Sequence, residues 1–145
     1  MKVLMVCLGN ICRSPLAHGI LAHKAKESGK NWIVESAGTG NWHIGNAPDS
    51  RSIAVAAKYG FDISQQRAQQ LTQEMLDYYD KVYVMDEQNY QDVVEMTQND
   101  AQKSKVELFL PGGTVPDPYW DDNMFELVFK MIHARCDQLI KEGRK

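Results

Sequence analysis

The chain has 145 residues, 43% of them hydrophobic and 24% charged, with a formal net charge of −3. That is the size and make-up of one ordinary domain, expected to span residues 1–145 and to bury a core without disulfide or metal staples. The acidic balance argues against nucleic-acid binding, and no apolar run reaches the length of a secretory leader or a membrane span, so a cytoplasmic location with no membrane partner is expected.

In chain order, Lys2 to Cys7 is an apolar run of β type ending at Gly9-Asn10. Ser14 before Pro15 marks a helix start, and a helical pattern follows through Leu16, Ile20, Leu21 and Ala25 to Gly29. Trp32 to Glu35 reads as a second strand, and Ala37 to Gly45 as a glycine-rich loop. Asp49 or Ser50 caps a helix carrying Ile53, Ala54, Ala57 and Tyr59 to Gly60. Thr72 caps a short helix to Tyr79, Lys81 to Met85 is a third strand, and Asp86 caps a helix through Met96. Val106 to Leu110 is a fourth strand. Pro111-Gly112-Gly113 and Pro116-Asp117-Pro118 enforce a loop, and a long helix follows with Phe125, Val128, Ile132, Cys136 and Leu139 on one stripe. Strands alternating with helices predict an α/β fold on a mostly parallel sheet.

Ligands of open parallel sheets bind beyond the carboxyl ends of strands, so the turn from Cys7 to Ser14 lies where chemistry is expected. A strand that passes through such a loop into a helix N-terminus aims amides at one point, here those of Leu8, Gly9, Asn10, Ile11, Cys12, Arg13 and Ser14, and the helix dipole adds to them. The result is an oxyanion site, suited to phosphate or sulfate. Gly9, with Asn10 as a second candidate, is expected to supply the left-handed backbone. No glycine-rich nucleotide motif is present, and a thiol stands at the base of the cradle instead. The dipoles and Arg13 favour a thiolate at Cys7, and the Ser14 hydroxyl can donate to the sulfur. Arg13 offers a planar fork for two equatorial phosphoryl oxygens.

Cys7 to Ser14 resembles the phosphate loop of the low-molecular-weight protein tyrosine phosphatases, whose pattern is Cys-x5-Arg-Ser/Thr. The resemblance extends along nearly the whole chain: Glu35-Ser36-Ala37-Gly38-Thr39 is similar to the segment after that family's second strand, Val84-Met85-Asp86 to its third-strand end, and Asp117-Pro118-Tyr119 to its acid loop. It implies a three-layer domain, a four-stranded parallel sheet in order 2-1-3-4 with helices on both faces. It also implies hydrolysis of phosphotyrosine or another aryl phosphate through a phosphocysteine intermediate on Cys7, with Arg13 on the phosphoryl group. Asp117, restrained by flanking prolines, becomes the general acid and then the general base. Trp42, Tyr119 and Trp120, with Leu8 and Ile11, are expected to wall a cleft deep enough for phosphotyrosine. Asn10 and Ser36 are expected to brace the loop, as the corresponding family residues do. One departure stands out: where many relatives carry a histidine, this chain reads Gln65-Gln66-Arg67, and Gln66 can donate a hydrogen bond but cannot carry charge.

Cys12 is placed to trap oxidised Cys7 as a disulfide, whereas Cys136 falls on the apolar stripe of the last helix. The four histidines form no metal-ligand pattern, and the chemistry needs no cofactor. An arsenate reductase would use the same loop but needs a relay thiol, for which Cys12 is the only nearby candidate. A phosphocysteine carrier needs neither Asp117 nor Arg13 in these roles, and a non-catalytic phosphotyrosine-binding module does not account for Cys7, Arg13 and Asp117 together. A monomer is expected.

Overall fold

Strand β1 (Lys2–Cys7) occupies the middle of the sheet because Val3, Leu4, Met5 and Val6 are all apolar and all fully buried. A strand covered on both faces reads as a continuous apolar run, and each such side chain contributes on the order of 1.5–3 kcal/mol by leaving water. The computed structural model describes residues 1–143. After β1 come α1 (Arg13–Glu27), β2 (Ile33–Gly38), α2 (Ser50–Lys58), α3 (Gln73–Tyr78), β3 (Lys81–Val84), α4 (Glu87–Met96), α5 (Asp100–Lys103), β4 (Val106–Leu108) and α6 (Met124–Glu142). The four strands pair in parallel in the order β2-β1-β3-β4, with Cys7 opposite Gly38 and Val6 opposite Val84.

Alternation along β1 divides the core into two layers. Val3, Met5 and Cys7 face the cluster built by α1, α2 and α6, with Leu16, Ile20, Val55, Phe129 and Ile132. Leu4 and Val6 face the other, with Leu76 of α3 and Val93 of α4. The face of Cys7 is thereby set, since a slip of one residue in register turns every side chain to the opposite layer. Because β1 lies between β2 and β3, the chain leaves it toward one side of the sheet and later returns on the other. Such a switch point opens a crevice at the carboxyl ends of the strands.

Some boundaries differ from those predicted. Strand β2 runs to Gly38, because Ser36, Ala37 and Gly38 stay laddered to Met5, Val6 and Cys7 despite a loop-like composition. A Cβ on Gly38 would stand 2.9 Å from the Leu8 carbonyl oxygen, so only glycine lets the loop pass this closely. In α2 the buried residues are Ser52, Val55 and Ala56, while Ala54, Ala57 and Tyr59 are exposed. The helix turns inward the side on which the Ser52 hydroxyl donates to the Cys12 carbonyl (3.4 Å), and Tyr59 instead stacks on Phe129 with ring centroids 4.6 Å apart. Helix α5, capped by Asn99, was not foreseen. Among the described residues no helix is long and apolar enough to cross a membrane.

Candidate active site

The loop from Cys7 to Arg13 is held from outside through its carbonyls. Thr39 N donates to Cys7 O (3.0 Å), Gly40 N to Leu8 O (2.9 Å) and Asp49 N to Ile11 O (2.8 Å). With these carbonyls turned outward and α1 beginning at Arg13, the first amides of the helix have no intrahelical acceptor and are available to a ligand. The left-handed residue is Asn10, φ +56°, and not Gly9. Its side chain explains the exchange: Asn10 Nδ2 donates to Ser14 Oγ (2.8 Å) and Asn10 Oδ1 accepts from Gln69 N (3.0 Å), so local hydrogen bonds offset the strain.

Ser14 is not the helix cap predicted from Ser-Pro. The cap position falls to Cys12, which makes no side-chain capping bond, and Ser14 lies within the first turn. Its Oγ sits 3.0 Å from Cys7 Sγ. With that oxygen accepting from Asn10, its own proton is free to point at the sulfur.

Arg13 is buried (3% exposed) beneath the pocket, and three parts of the chain meet its guanidinium. Nη1 donates to Asp86 Oδ2 (2.6 Å) and to the Val115 carbonyl (3.0 Å), and Nη2 lies 3.9 Å from Asp117 Oδ2. Burial opposes the charge, but Cys7, Asp86 and Asp117 outweigh it and hold the guanidinium even more firmly protonated than usual. Asp117 accepts Tyr119 N on Oδ1 (3.1 Å), a turn that leaves Oδ2 toward Arg13.

Leu8, Ile11, Trp42, Tyr119 and Trp120 line one pocket with Cys7, Arg13 and Asp117, enclosing about 270 Å³. Tyr119 and Trp120 meet edge to face at 4.8 Å, and Trp120 is 86% exposed at the rim. His43 also lines the pocket and was missed; it packs against Gly9, and nothing in its spacing marked it. Arg51, likewise missed, pairs with Asp49 and Asp122 and lies under the Tyr119 and Phe125 rings, linking α2 to the loop that carries Asp117.

The Ser36 hydroxyl bonds not to the loop but to His18 Nδ1 (3.0 Å). Its carbonyl accepts from Gln69 Nε2 (3.0 Å), and Gln69 N reaches Asn10, so Ser36 touches the loop only through Gln69. Gln66 Nε2 donates to the Pro15 carbonyl in α1 (3.0 Å). An imidazole is therefore present near this network, but it comes from α1. Burial pulls His18 down to about 4, so it is neutral at physiological pH. Burial, with Asp49 and Cys7 adding to it, pushes the Cys12 thiol up to about 12. Cys136 is fully buried and also pushed up, as expected of a packing residue.

Asp86, which reads from the sequence as a helix cap at the third-strand end, has a second task that the sequence does not show. It does cap α4, with Oδ1 accepting from Asn89 N (2.8 Å), but its other oxygen holds Arg13. An aspartate directly after a strand at the switch point was the available signal.

Residues 2–145 match the family described as low molecular weight phosphotyrosine protein phosphatase. The chain is 34% identical over 151 aligned positions to the low molecular weight protein-tyrosine-phosphatase YfkJ of Bacillus subtilis, covering 99% of this chain and 96% of that protein. It superposes with a TM-score of 0.92 on a low molecular weight phosphotyrosine phosphatase from Vibrio cholerae O395, at 31% identity and with 100% and 97% of the two chains covered. A third similar protein, Wzb of Vibrio vulnificus in complex with benzylphosphonate, gives a TM-score of 0.89 at 28% identity, with 97% of each chain covered.

Proposed function

The chain belongs to the low molecular weight phosphotyrosine protein phosphatase family, and we propose that it hydrolyses phosphotyrosine monoesters through a phosphocysteine intermediate on Cys7. The observation that carries this reading is the convergence of the Cys7 sulfur, the Arg13 guanidinium and the Asp117 carboxyl on one aromatic-rimmed pocket at a helix N-terminus. Loop amides and Arg13 bind the phosphate dianion and stabilise the charge that spreads over its equatorial oxygens in transfer. Cys7 Sγ attacks phosphorus as the bond to the phenolic oxygen breaks, and Asp117 gives its proton to that oxygen. In the second step Asp117 takes a proton from water, water oxygen attacks phosphorus, and the S–P bond breaks to return the thiolate and release inorganic phosphate. Ser14 supports both steps by donating to the sulfur when it is charged.

Tyrosine selectivity follows from depth and walls. Arg13 lies buried below Trp42, Tyr119 and Trp120, so a short phosphoserine arm does not bring its phosphate down to the loop. The test is steady-state turnover of an aryl phosphate, a phosphotyrosine peptide and a phosphoserine peptide. The first two are expected to turn over and the third not. Cys7→Ser is expected to abolish turnover, and Asp117→Ala to lower kcat by roughly 10²- to 10⁴-fold, the usual worth of a positioned acid. Undiminished activity in Cys7→Ser rejects the mechanism.

A further inference from the structure

A second hollow opens beside the phosphate pocket and shares two of its walls, Leu8 and Trp42. Thr39, Gly40, Asp92, Glu95 and Met96 complete it around a volume of about 290 Å³. Asp92 and Glu95 stand three residues apart on α4, hence on one face of the helix. Asp92 accepts a hydrogen bond from Gln88 (2.9 Å), and among the described residues neither carboxylate is paired with a cation. Thr39 lines the hollow with the rest of its side chain, its hydroxyl oxygen being buried and without a hydrogen-bond partner.

These features select one kind of occupant. A long cationic side chain can lay its methylene stem on Trp42 and Met96 and bring its head to the two carboxylates, as lysine and arginine do on mixed surfaces. An acidic or phosphorylated side chain meets repulsion at the same place. The wall shared with the phosphate pocket makes the two hollows neighbours, and successive residues of an extended peptide advance only about 3.3 Å each. We propose that this hollow is a substrate subsite for a lysine or arginine flanking the phosphotyrosine, so that the protein prefers phosphotyrosine segments with a basic neighbour. The proposal rests on the tyrosine phosphatase reading and specifies its substrate.

The experiment compares kcat/KM for phosphotyrosine peptides that carry lysine, alanine or glutamate at the positions on either side of the phosphotyrosine, with p-nitrophenyl phosphate as a substrate that has no flank. Wild-type protein is expected to favour lysine over alanine on one side, and alanine over glutamate, by about three- to tenfold per step at low salt, with the spread shrinking as salt screens the pairs. In the double variant Asp92→Asn/Glu95→Gln the three peptides are expected to converge while p-nitrophenyl phosphate turnover is retained, which also reports that the fold is intact. Equal rates in the wild type overturn the proposal, as does a lysine preference that survives in the double variant. Absence of turnover with every substrate, p-nitrophenyl phosphate included, overturns the phosphatase reading and the subsite with it, a result distinct from the other two.

Discussion

Asp86 holds Arg13 with one carboxylate oxygen, 2.6 Å from Nη1, and closes the first turn of α4 with the other. The two tasks can be separated. Asparagine caps helices as well as aspartate does, so Asp86→Asn is expected to fold normally yet leave the guanidinium without its anchoring charge. We expect kcat/KM to fall by about ten- to a hundredfold, the usual cost of a misplaced binding group, with little change in Tm. Wild-type kinetics in this variant would show that the Val115 carbonyl and Asp117 suffice to orient Arg13.

Asn10 combines a left-handed backbone with two side-chain hydrogen bonds. Asn10→Gly keeps the backbone at ease and loses the bonds, whereas Asn10→Ala loses both. Asn10→Ala is therefore expected to be the less stable of the two, by on the order of 1 kcal/mol, and both are expected to be less active than wild type. Denaturant unfolding of the pair measures the difference, and equal midpoints would remove strain from the explanation.

His18 links stability to pH. Its ordinary value of 6.5 in the unfolded chain falls to about 4 when buried, so between those values the unfolded chain binds the extra proton. The contribution is fully present above about 6.5, declines as pH falls through the window, and levels off below about 4. Its upper size is about 3 kcal/mol, from roughly 1.4 kcal/mol per pH unit. Unfolding free energies measured from pH 7 to pH 4 should show this limb, and His18→Gln should flatten it. An acid limb of the same slope in the variant would assign the effect to other groups.

Oxidation should join Cys7 to Cys12. Peroxide oxidises the Cys7 sulfur to sulfenic acid, and attack by the Cys12 sulfur forms the disulfide and releases water. Because burial holds the Cys12 thiol at about 12, the closing step is expected to accelerate as pH rises from 7 toward 9. Mass spectrometry after mild peroxide should find the Cys7–Cys12 link and recovery of activity with dithiothreitol. Sulfinic or sulfonic Cys7 as the sole product rules the trap out.

Much of the site is written in adjacent residues. A strand, a loop and a helix N-terminus follow directly from Lys2 to Leu16, and those elements alone bring a thiol, an arginine and a set of amides together, because local geometry needs no distant partner. The alternation of strands and helices was equally legible, and so was the aspartate between two prolines. Side chains whose roles depend on who arrives from elsewhere were not. Gly9 reads as the left-handed residue and Asn10 takes that place; Asp86 reads as a cap and also anchors Arg13; Ser14 faces Cys7 as its neighbours imply, but is held there by Asn10 and does not cap the helix. The physical reason is the sheet order. Only when β3 docks beside β1, and the loop after β4 folds back through Val115, do Asp86 and Asp117 come within reach of a residue dozens of positions earlier in the chain. The amino-acid sequence by itself determined which thiol and which cation the loop would carry, and the tertiary structure alone decided how they are held.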